Sequence, residues 1–221
     1  MIPEPLMPNP IYCLIEGPDL AGKDAQADLL IQHMREIGLD PLLVHEPCED
    51  LPTGQLIRQL LKSGEYPEMF PGLFLADRMA LQTNVVKPAL GAGRPVVSVR
   101  SFLSTICYQA EKYNLDWLYQ LHRMLPVKPT HVIILDVDPE EGQKRLQRDA
   151  RVPEIFEKIL IQTRVRERYL KLTDDSRFWE CVAPEGWATV IPSPDYNLDA
   201  ETSKKIVHES VWEFVTDDSD G

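Results

Sequence analysis

The chain has 221 residues, 43% of them hydrophobic and 26% charged, proportions that predict one ordinary globular domain with a full-sized core. With 23 Lys plus Arg against 35 Asp plus Glu, the formal charge is −12; this excludes a general nucleic-acid binder but leaves room for a small anion in a locally basic cleft. The cysteines Cys13, Cys48, Cys107 and Cys181 have no zinc or disulfide spacing, the first basic residue is Lys23, and no apolar run nears the roughly 20 residues of a membrane span, so a cytoplasmic setting without a leader or membrane partner is expected.

Residues 1–10 contain four prolines and predict an extended lead-in. The apolar run Ile11–Ile15 predicts a buried strand, and Lys23 to Ile37 an amphipathic helix with Leu30, Met34 and Ile37 inward, stopped by Gly38. Pro41–Val44 predicts a second strand, and Thr53–Lys62 a helix with Leu56, Leu60 and Leu61 inward. Pro71 suits a helix start, and the spacing of Phe74, Leu75, Met79, Val86 and Leu90 carries that helix to Gly91. Strand Pro95–Val99 and helices Ser101–Lys112 and Asp116–Leu125 follow, then the strand His131–Asp136. Helices from Pro139 to Asp149 and Glu154 to Leu172, a strand Ala188–Ile191 and a helix Asp199–Val215 complete the order, with an acidic tail over 216–221. Strands alternating with helices predict the α/β class, a parallel sheet covered on both faces.

Gly17, Pro18, Asp19, Leu20, Ala21, Gly22 and Lys23 fit G-x-x-x-x-G-K between a strand and a helix. Small residues there let backbone N–H groups wrap phosphates, the helix N-terminus adds a positive field, and the lysine reaches the outer phosphates. The next two residues, Asp24 and Ala25, carry no hydroxyl where Ser or Thr usually binds Mg²⁺. Arg145, Arg148 and Arg151 recur every three residues along one helix flank, which suits either mobile charge over a transferred phosphoryl group or a solvated helix face.

Four blocks, in order, resemble the thymidylate kinase family: Ile15–Lys23, its phosphate loop; Phe74–Arg78, its F-A-A-D-R helix; Arg100–Gln109, its D-R-Y-x-x-S-S-x-A-Y-Q segment; and Leu135–Glu141 with Arg145, its L-D-v-d-P-E-E…R segment. The resemblance spans about Ile11 to Val215. It implies a single domain over 11–215 in a three-layer α/β/α fold of the P-loop NTPase type. Five parallel strands would be ordered 2-3-1-4-5, and a short helical lid would occupy about 145–153. The implied reaction is ATP-dependent phosphorylation of dTMP to dTDP with Mg²⁺, by a homodimer.

By residue type alone Phe74 reads as core, Arg78 as a solvated charge and Asp19 as a turn cap. The resemblance instead assigns Phe74 to stacking on thymine and Arg78 to a ring carbonyl, from one helix face. It places Asp19 near the 3′-hydroxyl, Arg100 on the acceptor phosphate, Thr105 and Gln109 toward the base, and Tyr108 where it crowds a 2′-hydroxyl. Residues 17–25 would hold ATP, with Lys23, Arg100, Arg148 and Arg151 catalytic. Departures are specific: Val99 replaces the Asp of D-R-Y, His45-Glu46-Pro47-Cys48-Glu49-Asp50 replaces R-E-P-G-G-T, and Leu20 replaces a glycine. They leave open a kinase with another base preference or a nucleotide binder with little turnover. Asp24 reads either as a relocated Mg²⁺ ligand or as a first-turn carboxylate favoured by the helix dipole.

Overall fold

The structure, a computed structural model, describes residues 11–148, 159–194 and 198–216, with 145–148 as helical backbone. Strands β1 (Tyr12–Glu16), β2 (Leu42–His45), β3 (Val96–Val99), β4 (His131–Asp136) and β5 (Trp187–Pro192) form one parallel sheet ordered β2-β3-β1-β4-β5. The two-residue period of a strand divides their side chains between two cores. Tyr12, Leu14, Val96, Val132 and Ile134 enter one, while Cys13, Ile15, Val97, Ile133 and Leu135 enter the other.

The second core is covered by α1 (Lys23–Glu36) and, toward the chain's end, a helix over Ala200–Thr216. On the first face, α2 (Pro52–Ser63) and α3 (Phe70–Leu81) are followed by a π-helical turn, Gln82–Val86, and by α4 (Lys87–Gly91). The helix expected from Pro71 to Gly91 thus runs through a local widening that buries Gln82 and Val86 on one side. Within α2, Leu56 is a correction: it is 40% exposed and Ile57 is buried in its place. The apolar run Leu56-Ile57 offers two phases for the stripe, and the packing of Phe70 against Ile57 selects the second.

Two shorter helices end earlier than the pattern suggests. In α5 (Phe102–Gln109), Ser101 caps the start by accepting from the Leu103 N–H at 3.2 Å, and in α6 (Leu115–Arg123) Asn114 accepts from Trp117 N–H at 3.2 Å. After β4 come α7 (Pro139–Arg148), α8 (Ile159–Leu170) and the one-turn α9 (Ser176–Trp179), before α10 (Ala200–Thr216) closes the described chain. The lead-in, Arg151 and most of the expected lid and acidic tail lie outside the described residues, as do the side chains of Arg145 and Arg148. The cysteines are free thiols, and among the described residues no helix is long and apolar enough to cross a membrane.

Candidate active site

The carboxyl ends of β1, β3 and β4 meet at one edge of the sheet, where ligands of open α/β folds bind. The loop leaving β1 starts at Gly17, whose φ of 136° and contact with β4 admit no side chain: an added Cβ would sit 2.3 Å from the Leu135 carbonyl oxygen. Leu20 takes a left-handed φ of 66°, a conformation that the glycine of the resembled family adopts without steric cost. The Lys23 ammonium turns into this loop and donates to the carbonyls of Gly17 at 3.0 Å and Pro18 at 2.5 Å. Burial first, and Arg100 second, lower its pKa to about 7 against the pull of Asp19 and Glu16.

Beside the loop lies a cleft of about 610 Å³, open to solvent on one side. Asp19, Phe74, Arg78, Arg100, Thr105, Tyr108 and Gln109, from three separate stretches of chain, all line it. Arg100, at the end of β3 with a left-handed φ of 69°, ion-pairs with Asp19, and its guanidinium carbon stands 5.8 Å from the Tyr108 ring centroid. Burial works against ionisation of Asp19, but Arg100 and then Lys23 outweigh it and hold the carboxyl below its ordinary value. Gln162 of α8 fixes the same aspartate twice, accepting from its N–H and donating to its carboxylate, each at 2.8 Å.

Arg78 is not solvated; it is 2% exposed and pinned on three sides. Its Nε donates to Glu46 at 2.5 Å, its Nη1 to His122 Nε2 at 3.0 Å, and its Nη2 to Thr105 at 3.5 Å. Because a guanidinium only donates, the His122 Nε2 must accept, so the imidazole is neutral with its proton on Nδ1. Burial, then the Arg78 charge, keep its pKa well below the ordinary value. Burial pushes the Glu46 carboxyl up to about 7, with Arg78 opposing. Phe74, half-buried, stacks on Phe70 with centroids 5.7 Å apart and presents its other side to the cleft.

A frame of buried polar groups holds these residues in place. Glu16, fully buried, accepts from Ser101 at 2.5 Å, from Ser104 at 2.8 Å and from Tyr169 at 2.7 Å, tying the start of α5 to β1 and α8. Asp77 accepts from the Cys48 N–H at 2.8 Å and the Thr53 hydroxyl at 2.7 Å, holding the loop after β2. Glu16, Glu46 and Asp77 stand inside recognisable motifs, whereas Gln162 and His122 carry no local signal and meet their partners only through folding.

On the opposite flank of the loop a second recess, open to solvent and about 1100 Å³ in extent, lies between Gly22, Ala25, Gln26, Asp136, Ser193 and Lys204. Gln26 donates to the Lys204 carbonyl at 2.9 Å, so α10 closes one wall. Arg166 clamps Asp136 at the end of β4 through two bonds, 2.5 and 3.0 Å. Asp24 points away from the core and accepts from His45 Nε2 at 3.2 Å; that bond, more than its burial, settles its pKa below the ordinary value.

A glycine-cornered loop opening a helix, between a cleft lined by three arginines, Arg58, Arg78 and Arg100, and a wider recess, defines a P-loop nucleotide kinase. The thymidylate kinase family model matches residues 15–187. The chain belongs to the thymidylate kinase family, which makes it a nucleoside monophosphate kinase. A probable thymidylate kinase of Thermococcus kodakarensis is 38% identical over 176 residues, covering 74% of this chain and 84% of its own. The thymidylate kinase of Thermomicrobium roseum is 33% identical over 216 residues, covering 93% and 94%. The crystal structure of thymidylate kinase from Ehrlichia chaffeensis superposes with a TM-score of 0.69 over 94% of this chain and 99% of that one; at 23% identity it bears on the fold.

Proposed function

We propose that the protein transfers the terminal phosphoryl group of ATP to dTMP, yielding dTDP. The observation that carries this reading is the convergence of all the acceptor candidates on one cleft directly beside the phosphate loop. In it, Phe74 stacks on the base and Arg78, held by Glu46 and His122, donates to a ring carbonyl. Arg100 exchanges part of its pairing with Asp19 for the acceptor phosphate, and Asp19, anchored by Gln162, accepts from the 3′-hydroxyl. Tyr108 stands where a 2′-hydroxyl would go, and Thr105 and Gln109 border the base. Residues 17–25 wrap the donor phosphates, and Lys23 leaves its loop carbonyls for the outer ones, where negative charge grows during transfer. Arg148 and Arg151 would add lid charge over the transferred group.

Mg²⁺ in such sites is held by one or two carboxylates together with phosphate oxygens. Asp24, its side chain 76% exposed at the mouth of the loop, fits that donor set, although among the described residues no group of three or more side chains could hold a metal alone. Bound with ATP, the ion neutralises and orients the phosphates. The same reading includes a cytoplasmic setting and pairing of two copies, the latter to be checked by light scattering.

The test is a panel of dTMP, dUMP, dCMP, dGMP and dAMP with ATP and Mg²⁺, read as ADP release. The expected result is the highest kcat/KM for dTMP, with dCMP lower by at least about tenfold, since a donating guanidinium meets an amino group instead of a carbonyl and the resulting mismatch costs about 1–3 kcal/mol. A different preferred base, or ATP binding without turnover, overturns the proposal.

A further inference from the structure

Three departures from the family pattern that are far apart in sequence prove to be neighbours in space. Val99 ends β3 where the pattern has Asp; His45 ends β2 where it has Arg; Asp24 opens α1 where it has Ser or Thr. In the sheet His45 is registered directly against Val99, so their side chains leave the same face. That face is the one covered by α1, since Val99 packs in the core with Ala27 and Leu30. His45 Nε2 pairs with Asp24 Oδ1 at 3.2 Å. Position 99 thus carries no carboxylate, while α1 carries one that pairs with His45, the residue beside Val99 in the sheet.

We infer that Asp24 and His45 form a relocated magnesium-organising pair, Asp24 as the ligand and His45 as the positioning residue; the inference rests on the kinase reading above. Mg²⁺ takes oxygen donors, so the imidazole is not a ligand for it. What the imidazole supplies is one N–H, which holds one carboxylate oxygen and leaves the other with no hydrogen bond to a described residue. An arginine at the end of β2 would do the opposite, gripping both oxygens with its fork and competing with the ion. A histidine at position 45 therefore leaves the Asp24 carboxylate more accessible to the ion than an arginine would. Hydrogen-bond partners of this kind orient metal ligands, and their removal typically weakens metal binding by about 10- to 100-fold.

The experiment is calorimetric ATP binding without acceptor, in EDTA and in excess Mg²⁺, for the unmodified protein, Asp24→Ala, His45→Ala and the double variant. Both side chains are well exposed, 76% and 47%, so the variants retain the fold, as circular dichroism would verify. The quantity read is the ratio of the two ATP dissociation constants. The pair is supported if Asp24→Ala lowers that ratio by more than about tenfold, His45→Ala lowers it by about tenfold, and His45→Ala adds nothing once Asp24 is gone. It is overturned if the ratio is unchanged in Asp24→Ala while ATP and dTMP still bind, or if His45→Ala acts equally in both backgrounds. Failure of the unmodified protein to bind ATP or dTMP would instead sink the kinase reading and the pair together.

Discussion

The acceptor cleft and the donor edge flank one loop but are built on different terms. In the cleft, the guanidinium of Arg78 is almost wholly removed from solvent, and Asp19 is held by Arg100 and Gln162 together. On the other side of the loop, Asp24 is largely and His45 about half exposed, and the two meet at a single contact. On the function proposed above, the difference follows from what each region would do. A cleft that selects one base needs donors fixed in advance, because discrimination comes from leaving a buried polar group unpaired with the wrong partner. A metal bound through one carboxylate and several waters and phosphates tolerates that carboxylate arriving from another element. Of the departures from the family pattern, Asp24, His45 and Val99 fall at the donor edge, whereas Cys48, Glu49 and Asp50 follow the Glu46-Pro47 segment that lines the cleft; Phe74, Arg78, Arg100 and Tyr108 match the pattern.

The sharpest way to break this contrast is Arg78→Ala. It strands Glu46 in a buried site, and losing one partner of such a pair costs about 3–5 kcal/mol of stability. The expected outcome is a clear drop in the midpoint of urea unfolding, together with a raised KM for dTMP and a nearly unchanged KM for ATP. An undiminished midpoint would mean that the Arg78–Glu46 pair is not the rigid element described here.

Lys23→Ala acts on the other region and should leave dTMP binding nearly intact. Its effect falls on turnover, where loss of one electrostatic donor to the transition state lowers kcat by about 100-fold or more. Stopped-time measurement of dTDP formation checks this; near-normal turnover would remove the phosphate loop from the mechanism.

The smallest effect is the most discriminating. His122→Gln keeps an acceptor for Arg78 but removes the imidazole, so KM for dTMP is expected to stay within about threefold, a change worth less than a typical hydrogen bond. His122 is neutral in the folded protein because its pKa lies well below the ordinary 6.5. The unfolded chain therefore takes up the extra proton first, and His122 makes stability fall as pH drops below 6.5. In the Gln variant that part of the acid limb of the unfolding profile should flatten. A loss of dTMP affinity as large in the Gln variant as in His122→Leu would show that the ring's shape, not its lone pair, positions Arg78.

The order of elements and the phosphate loop were legible along the chain because each is written locally, in short apolar runs, in periods near 3.6 and in glycines that a turn requires. The motif residues of the acceptor cleft were legible too, through their resemblance to a family. Resemblance named Phe74 and Arg78, and it flagged Asp24, His45 and Val99 as exceptions. It could not say that the exceptions touch. That depended on β2 lying beside β3 with His45 in register with Val99, and on α1 crossing the same face. Likewise Gln162 reaches Asp19 across 143 residues and His122 reaches Arg78 across 44, distances over which no periodic pattern carries information. The burial of Arg78, read from residue type as a solvated charge, was decided in the same way. A charge can be buried only where folding delivers its partners, and Glu46, Thr105 and His122 arrive from three other elements.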